Sequence, residues 1–175
     1  MKFLKGSVVI AVILMTVITS LIFASTEQQD EREKRREARK DARVPSEKAM
    51  DSFGLKEGMV VGEAGAGTGY FTFKMIKRVG PSGKIYANDI SAKSLKKLTE
   101  RAAKEGYKNI TTVMGEYEDP LFPEKVDIVV IVWAFHDFSG PVPWLKNLKK
   151  YLKPGAKVVI IDADPKKIGD DHSLD

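Results

Sequence analysis

A chain of 175 residues with 29 Lys/Arg against 24 Asp/Glu has room for a leader and one globular domain of ordinary size, and none for a second enzyme domain. The absence of cysteine excludes a disulfide framework, a Cys-based zinc site and a thiol nucleophile; with only His136 and His172 to supply imidazole, no metal is expected either. The formal charge of +5 is unevenly spread, and residues 44–175 hold 20 basic against 18 acidic side chains, so the domain is nearly neutral and no nucleic-acid partner is expected.

Lys2 and Lys5 precede an almost uninterrupted apolar run from Val8 to Ala24. This layout assigns residues 1–24 to a signal peptide or a single membrane anchor, with residues 7–24 in the membrane if the segment is not cleaved. Cleavage after Ala24 meets the small-residue pattern only by half, since Ile22 stands where a small residue is preferred. Residues 25–43 form a charged linker: Glu27 to Arg43 holds seven basic and six acidic residues without an apolar stripe, which predicts a solvated helical or disordered segment. Those seven basic residues, against two before the run, favour a domain facing the cytoplasm; export after cleavage is the alternative.

From residue 44 to 175 short β-branched runs alternate with segments of helical period, which predicts an α/β fold: a doubly wound, mainly parallel sheet with helices on both faces, preceded by the N-terminal hydrophobic helix. Ser46 to Phe53 reads as a short helix, Gly58 to Glu63 as a first strand, Tyr70 to Val79 as a helix and Lys84 to Asp89 as a second strand. Ser91 caps a helix running to about Gly106, with Leu95, Leu98 and Ala102 on one face and Lys93, Lys96, Lys97 and Lys104 in solvent. Strands follow at Ile110 to Met114, Val126 to Trp133 and Ala156 to Asp162, with a helix from about Val142 to Leu152 and a turn at Gly155 before the last strand. The runs V-D-I-V-V-I-V-W and A-K-V-V-I-I-D are nearly apolar throughout and read as central strands, with Trp133 and Trp144 as packing residues first and ligand-stacking residues as the alternative.

The first strand ends in Glu63 and runs straight into G-A-G-T-G before a helix, so that Gly65, Gly67 and Gly69 let backbone approach a ligand which the helix N-terminus faces. A dinucleotide fingerprint would need glycine at Tyr70, which argues against a nicotinamide oxidoreductase. The second strand ends in Asp89, about 20 residues past the last glycine, where a carboxylate accepts hydrogen bonds from both ribose hydroxyls. Loop and carboxylate together point to a nucleoside-containing cofactor.

The strings E-A-G-A-G-T-G, Y-A-N-D-I, G-E-Y-E-D-P, D-I-V-V-I-V-W-A-F-H-D and L-K-P-G-A, in this order and spacing, resemble the class I S-adenosylmethionine-dependent methyltransferases over about Val44 to Asp164. The resemblance implies a Rossmann-like domain, S-adenosyl-L-methionine as cofactor, and methyl transfer to a small-molecule or lipid acceptor. It implies Glu63, Gly65, Gly67 and Gly69 around the methionine portion, Asp89 on the ribose, Glu116 and Tyr117 at the adenine, and Phe135, His136 and Asp137 bordering the methyl group. His136 is the best-placed base and Asp137 an alternative base or orienter, shaping of the cofactor pocket being the other role open to both.

Two departures from the family pattern carry expectations of their own. The usual sheet has seven strands, so a chain stopping at Asp175 is expected to lack the C-terminal strands and to leave its fifth partly uncovered. Ala134-Phe135-His136-Asp137 stands where Asn-Pro-Pro-Tyr would mark methylation of amide or exocyclic nitrogen. Asp170, Asp171 and His172 could bind a cation weakly. A non-catalytic nucleotide-binding or membrane-associated scaffold module is the alternative to an enzyme.

Overall fold

The computed structural model describes residues 3–162, with side chains from Met15 onward, and the chain divides into two units, Met1–Pro45 and Ser46–Asp175. The first unit is one helix, α1 (Phe3–Arg43). Of the two states open to the charged linker the helix is realised: its Glu, Arg, Lys and Ala residues are good helix formers, Lys34 pairs with Glu31 at 2.9 Å, and Pro45 sets the end. Met15, Leu21 and Phe23 are exposed on it. Among the described residues no helix is long and apolar enough to cross a membrane. The side chains of residues 8–14, most of the first half of the apolar run, lie outside those described, as do Asp170, Asp171 and His172 with their suggested cation site.

The second unit follows the predicted alternation: α2 (Ser46–Phe53), β1 (Val60–Ala64), α3 (Thr72–Val79), β2 (Lys84–Asp89), α4 (Ala92–Lys104), β3 (Ile110–Met114), β4 (Val126–Val132), α5 (Pro141–Leu148) and β5 (Leu152–Ile161). All neighbouring strands pair in parallel, in the order β3-β2-β1-β4-β5, so the winding reverses between β1 and β4. Successive residues of the inner strands serve opposite faces, as the period of two requires. Val61, Ile85, Ala87, Ile128 and Val130 pack against Met75 and Ile76 of α3 and Leu98 and Ala102 of α4, whereas Tyr86, Val129 and Ile131 pack with Phe122 and with Trp144 and Leu148 of α5. Each fully buried aliphatic side chain contributes about 1.5–3 kcal/mol, and this double face makes the inner strands the anchor of everything at their ends.

Local signals explain the element ends. The Ser91 hydroxyl accepts from the Ser94 N–H and caps α4, while Lys93, Lys96, Lys97 and Lys104 are exposed, as expected. Asp127 ties three strand starts together, its Oδ2 accepting from the Val60 N–H at 2.8 Å and from Lys153 Nζ at 2.9 Å. Burial pushes the Asp127 carboxyl up, but these donors outweigh it and hold the group below the usual carboxylate range.

Three expectations are corrected. The last strand begins at Leu152 rather than Ala156: Gly155, in the left-handed region at φ +78°, sits within the strand where its register with β4 shifts, instead of forming a turn before it. The helix expected to reach Leu152 ends at Leu148 and tightens into a 3₁₀ turn over Lys149–Tyr151. A-K-V-V-I-I-D is an edge strand of the described sheet, not a central one, with Val158 and Ile160 partly exposed, because apolar composition alone does not distinguish a strand covered on both faces from one awaiting cover.

Candidate functional site

The site forms at the carboxyl ends of the strands, where the reversal between β1 and β4 opens a crevice. After β1 the chain turns through Gly65 at φ +73°, and a Cβ there would stand 2.3 Å from the Ala134 Cβ, so only glycine lets the first loop pass the end of β4. The Ala66 N–H donates to the Asn88 carbonyl at 2.9 Å, and the Gly69 N–H to the Ala66 carbonyl at 2.9 Å, which folds the loop back over β2. Asp89, at the end of β2, accepts from the Gly67 N–H and, with its other oxygen, from the Ser91 N–H, both at 2.8 Å. Glu63 is 2 % exposed and lies beneath the loop, accepting from the Thr72 hydroxyl on the first turn of α3.

The loop after β3 is braced from both sides. Asn88 Nδ2 donates to the Pro120 carbonyl at 2.7 Å, and the Glu116 N–H to the Asp119 carbonyl at 2.8 Å. The Asp119 carboxylate accepts from the Leu121 N–H, the Tyr151 hydroxyl and Lys150 Nζ. Burial raises its titration, yet these donors, Lys150 foremost, win and hold it below the usual range. This anchoring leaves Tyr117 free to project, 70 % exposed.

After β4, Trp133 adopts φ +55°, a left-handed conformation that costs a bulky residue about 1–3 kcal/mol and is sustained where surroundings impose it. Its N–H donates to the Ile161 carbonyl at 2.8 Å, and its buried indole Nε1 has no hydrogen-bond partner among the described residues. The chain then enters a 3₁₀ turn, Phe135–Asp137, which carries His136 to the end of β5. There Asp162 accepts from the His136 backbone N–H at 3.0 Å, and its other oxygen lies 2.8 Å from His136 Nδ1, while His136 Nε2 stands 3.6 Å from Asp137 Oδ2.

These three loops enclose a cleft of about 290 Å³. Asn88, Asp89, Glu116, Asp137 and Ser139 give it a polar side, and Ile90, Tyr117, Trp133, Ala134, Phe138 and Trp144 an aromatic, apolar one, with Gly65 between them. Phe138 stacks edge-on against Trp144 at 5.0 Å between ring centroids. Of the residues predicted from sequence, Gly65, Asp89, Glu116, Tyr117 and Asp137 meet on this cleft; Glu63, Gly67 and Gly69 support the loop, and Phe135 and His136 stand beside it without lining it. Trp133 and Trp144, expected as packing residues, also line the cleft. Thr72, Ile90 and Asp162 were not singled out from sequence; position directly after a strand was the available signal for Ile90 and, one residue past the end of β5, for Asp162.

Residues 55–174 match the family model described as methyltransferase domain. In sequence the chain is 32% identical over 105 residues to a demethylmenaquinone methyltransferase of Anoxybacillus flavithermus, covering 59% of this chain and 44% of that protein. It is 30% identical over 115 residues to the ubiquinone/menaquinone biosynthesis C-methyltransferase UbiE of Hahella chejuensis, covering 65% and 46%. The chain thus spans about half the length of the curated relatives it matches. In structure it is similar to a SAM-dependent methyltransferase from Aquifex aeolicus, with a TM-score of 0.63, 36% identity, and coverage of 67% of this chain and 63% of that one. With the family match running through every strand of a sheet ordered 3-2-1-4-5, the chain belongs to the Rossmann-like methyltransferase-domain family.

Proposed function

We propose that the domain is an S-adenosylmethionine-dependent methyltransferase acting on a small-molecule acceptor. The observation that carries this reading is the convergence of the Gly65–Gly69 loop and the Asp89 carboxylate on one cleft at the winding reversal. The residues present suit a nucleoside sulfonium. Asp89 spends one lone pair per oxygen on backbone and keeps others for ribose hydroxyls, Ile90 and Tyr117 offer apolar flanks for adenine, and the loop backbone over buried Glu63 would hold the methionine portion. When bound, the cofactor supplies an electrophilic methyl group, so the protein's own task is to align the acceptor and exclude water.

The aromatic side of the cleft, Trp133, Phe138 and Trp144, supports a flat, ring-containing acceptor, in keeping with the quinone-directed names of the relatives. Asp137 lines the cleft and His136 adjoins it, which supports them as the groups that take up the acceptor's proton. Calorimetric titration of S-adenosylhomocysteine into the full chain is expected to give micromolar binding, followed by methylation of reduced demethylmenaquinone from S-adenosylmethionine. Absence of binding by a folded chain would discard this function.

We further propose that the apolar part of α1 tethers the domain to a membrane with the domain facing the cytoplasm. Exposed Met15, Leu21, Ile22 and Phe23 and the excess of basic residues after the apolar run support this. A reporter fused after Asp175 should be active only in the cytoplasm; activity only outside it would reverse the orientation.

A further inference from the structure

The imidazole of His136 is held by one carboxylate at two points. Asp162 Oδ2 accepts from the His136 backbone N–H at 3.0 Å, and Oδ1 lies 2.8 Å from Nδ1. A bond to the backbone N–H alone would suffice to fasten the 3₁₀ turn to the end of β5. The second contact concerns the ring, and it has a chemical consequence, since an ionised carboxylate only accepts and the nitrogen facing it must therefore carry a proton. Asp162 suits that role: its side chain is 15 % exposed, against 48 % for His136, and it leaves the edge strand next to the register pair Val132 and Ile161.

We propose that Asp162 is the positioning residue of His136, fixing its neutral ring in the Nδ1–H form so that Nε2 is the proton-accepting atom beside the cleft. The inference rests on the methyltransferase reading above. Nε2 stands 3.6 Å from Oδ2 of Asp137, the turn residue that lines the cleft. As the acceptor's nucleophilic electron pair, in a hydroquinone the ring π pair released by loss of the hydroxyl proton, bonds to the incoming methyl carbon, the pair of the old carbon–sulfur bond stays on sulfur and the acceptor's proton moves to Nε2. The imidazolium so formed lies between the carboxylates of Asp162 and Asp137, which balance its charge. Asp162 is not among the residues lining the cleft and acts through the ring it orients.

The test uses the full chain with ¹⁵N-labelled histidine, and His172→Gln to leave one imidazole signal. In the neutral ring of the protein, Nδ1 is expected to carry the proton and Nε2 to show the shift of a bare nitrogen. Asp162→Asn, close in shape and still able to accept the backbone N–H, should move the ring toward the Nε2–H form that an imidazole side chain prefers in water. A wild-type ring already in the Nε2–H form, or an unchanged tautomer in D162N, would overturn the proposal. Titration of S-adenosylhomocysteine should give equal affinity in both proteins; its failure to bind the wild type would count against the methyltransferase reading while the tautomer still decides the Asp162 contact. With reduced demethylmenaquinone as acceptor, kcat in D162N is expected to fall by about 10²-fold or more at unchanged KM, the range for loss of a general base. An unchanged kcat alongside an altered tautomer would leave Asp162 a structural fastening and overturn its role in positioning.

Discussion

Asp89 holds the Gly67 N–H at 2.8 Å, so the residue expected to take the ribose also sets the shape of the glycine loop. Asp89→Ala removes a ligand contact and releases the loop from the end of β2, while the Ser91 backbone N–H loses its acceptor as well. Affinity for S-adenosylhomocysteine should fall by about 1–3 kcal/mol, the cost of stranding hydrogen-bonded polar groups. Calorimetry on the full-length variant checks this, and unchanged affinity would discard Asp89 as the ribose ligand.

Gly65 is where the first loop passes close to Ala134 at the end of β4. Gly65→Ala imposes both a left-handed φ of +73° and a 2.3 Å approach to the Ala134 Cβ, so loop and β4 must part. A loss of about 1–3 kcal/mol in folding stability is expected, together with weakened cofactor binding, and chemical denaturation with parallel ligand titration would measure both. Stability equal to that of the wild type would show that the two loops are not in contact in solution.

Thr72 donates its hydroxyl to the buried Glu63 carboxylate. Thr72→Val keeps the shape and deletes that donor, at an expected cost of about 1–3 kcal/mol. In a double-mutant cycle with Glu63→Leu, which deletes the acceptor, the two losses should fall short of additive, because both remove one contact. Strict additivity in urea unfolding would contradict the pairing.

Acid should loosen the sheet at known points. Asp119 and Asp127 are both held below the usual carboxylate range, so their donors stabilise the fold fully above about pH 4, where the unfolded carboxyls are ionised. That contribution is lost as the pH falls through the lower folded values. Urea midpoints followed from neutral to strongly acidic pH should therefore drop on the acid side, and Asp127→Asn should flatten the drop. An acid limb identical in the variant would place the sensitivity elsewhere.

Much of the frame was legible in the sequence for physical reasons that can be named. Lys84–Asp89 and Ile110–Met114 were bounded by helices and turns strong enough to fix both ends, and Ser91 announced α4 as a cap. Gly65, Gly67, Gly69 and Asp89 were readable because their function depends on spacing along one stretch of chain. Thr72 and Asp162 were not, since their partners Glu63 and His136 lie 9 and 26 residues away and only the folded sheet brings them together. Trp133 and Trp144 were read as packing because a large aromatic side chain buries the same area against a core as against a ligand. The start of β5 was misplaced because Pro154-Gly155 carries the composition of a turn, while the strand absorbs it as an irregularity of register.

The reversal of winding between β1 and β4 also ties ligand binding to the order in which the chain completes itself. The first loop meets Ala134 only after β4 has paired with β1, across a separation such as that between Val61 and Ile128, and Asp127 fastens that pairing to the start of β1. A nascent or nicked chain that has made the glycine loop and Asp89 but not β4 owns the recognisable motif and only half of the cleft. Cofactor would therefore select completed domains, and at a hundredfold excess over its dissociation constant it would stabilise them by about 2.7 kcal/mol relative to unfinished ones. For a fold whose glycine loop and fourth strand lie so far apart in sequence, bound ligand adds to the core's own preference for the finished sheet.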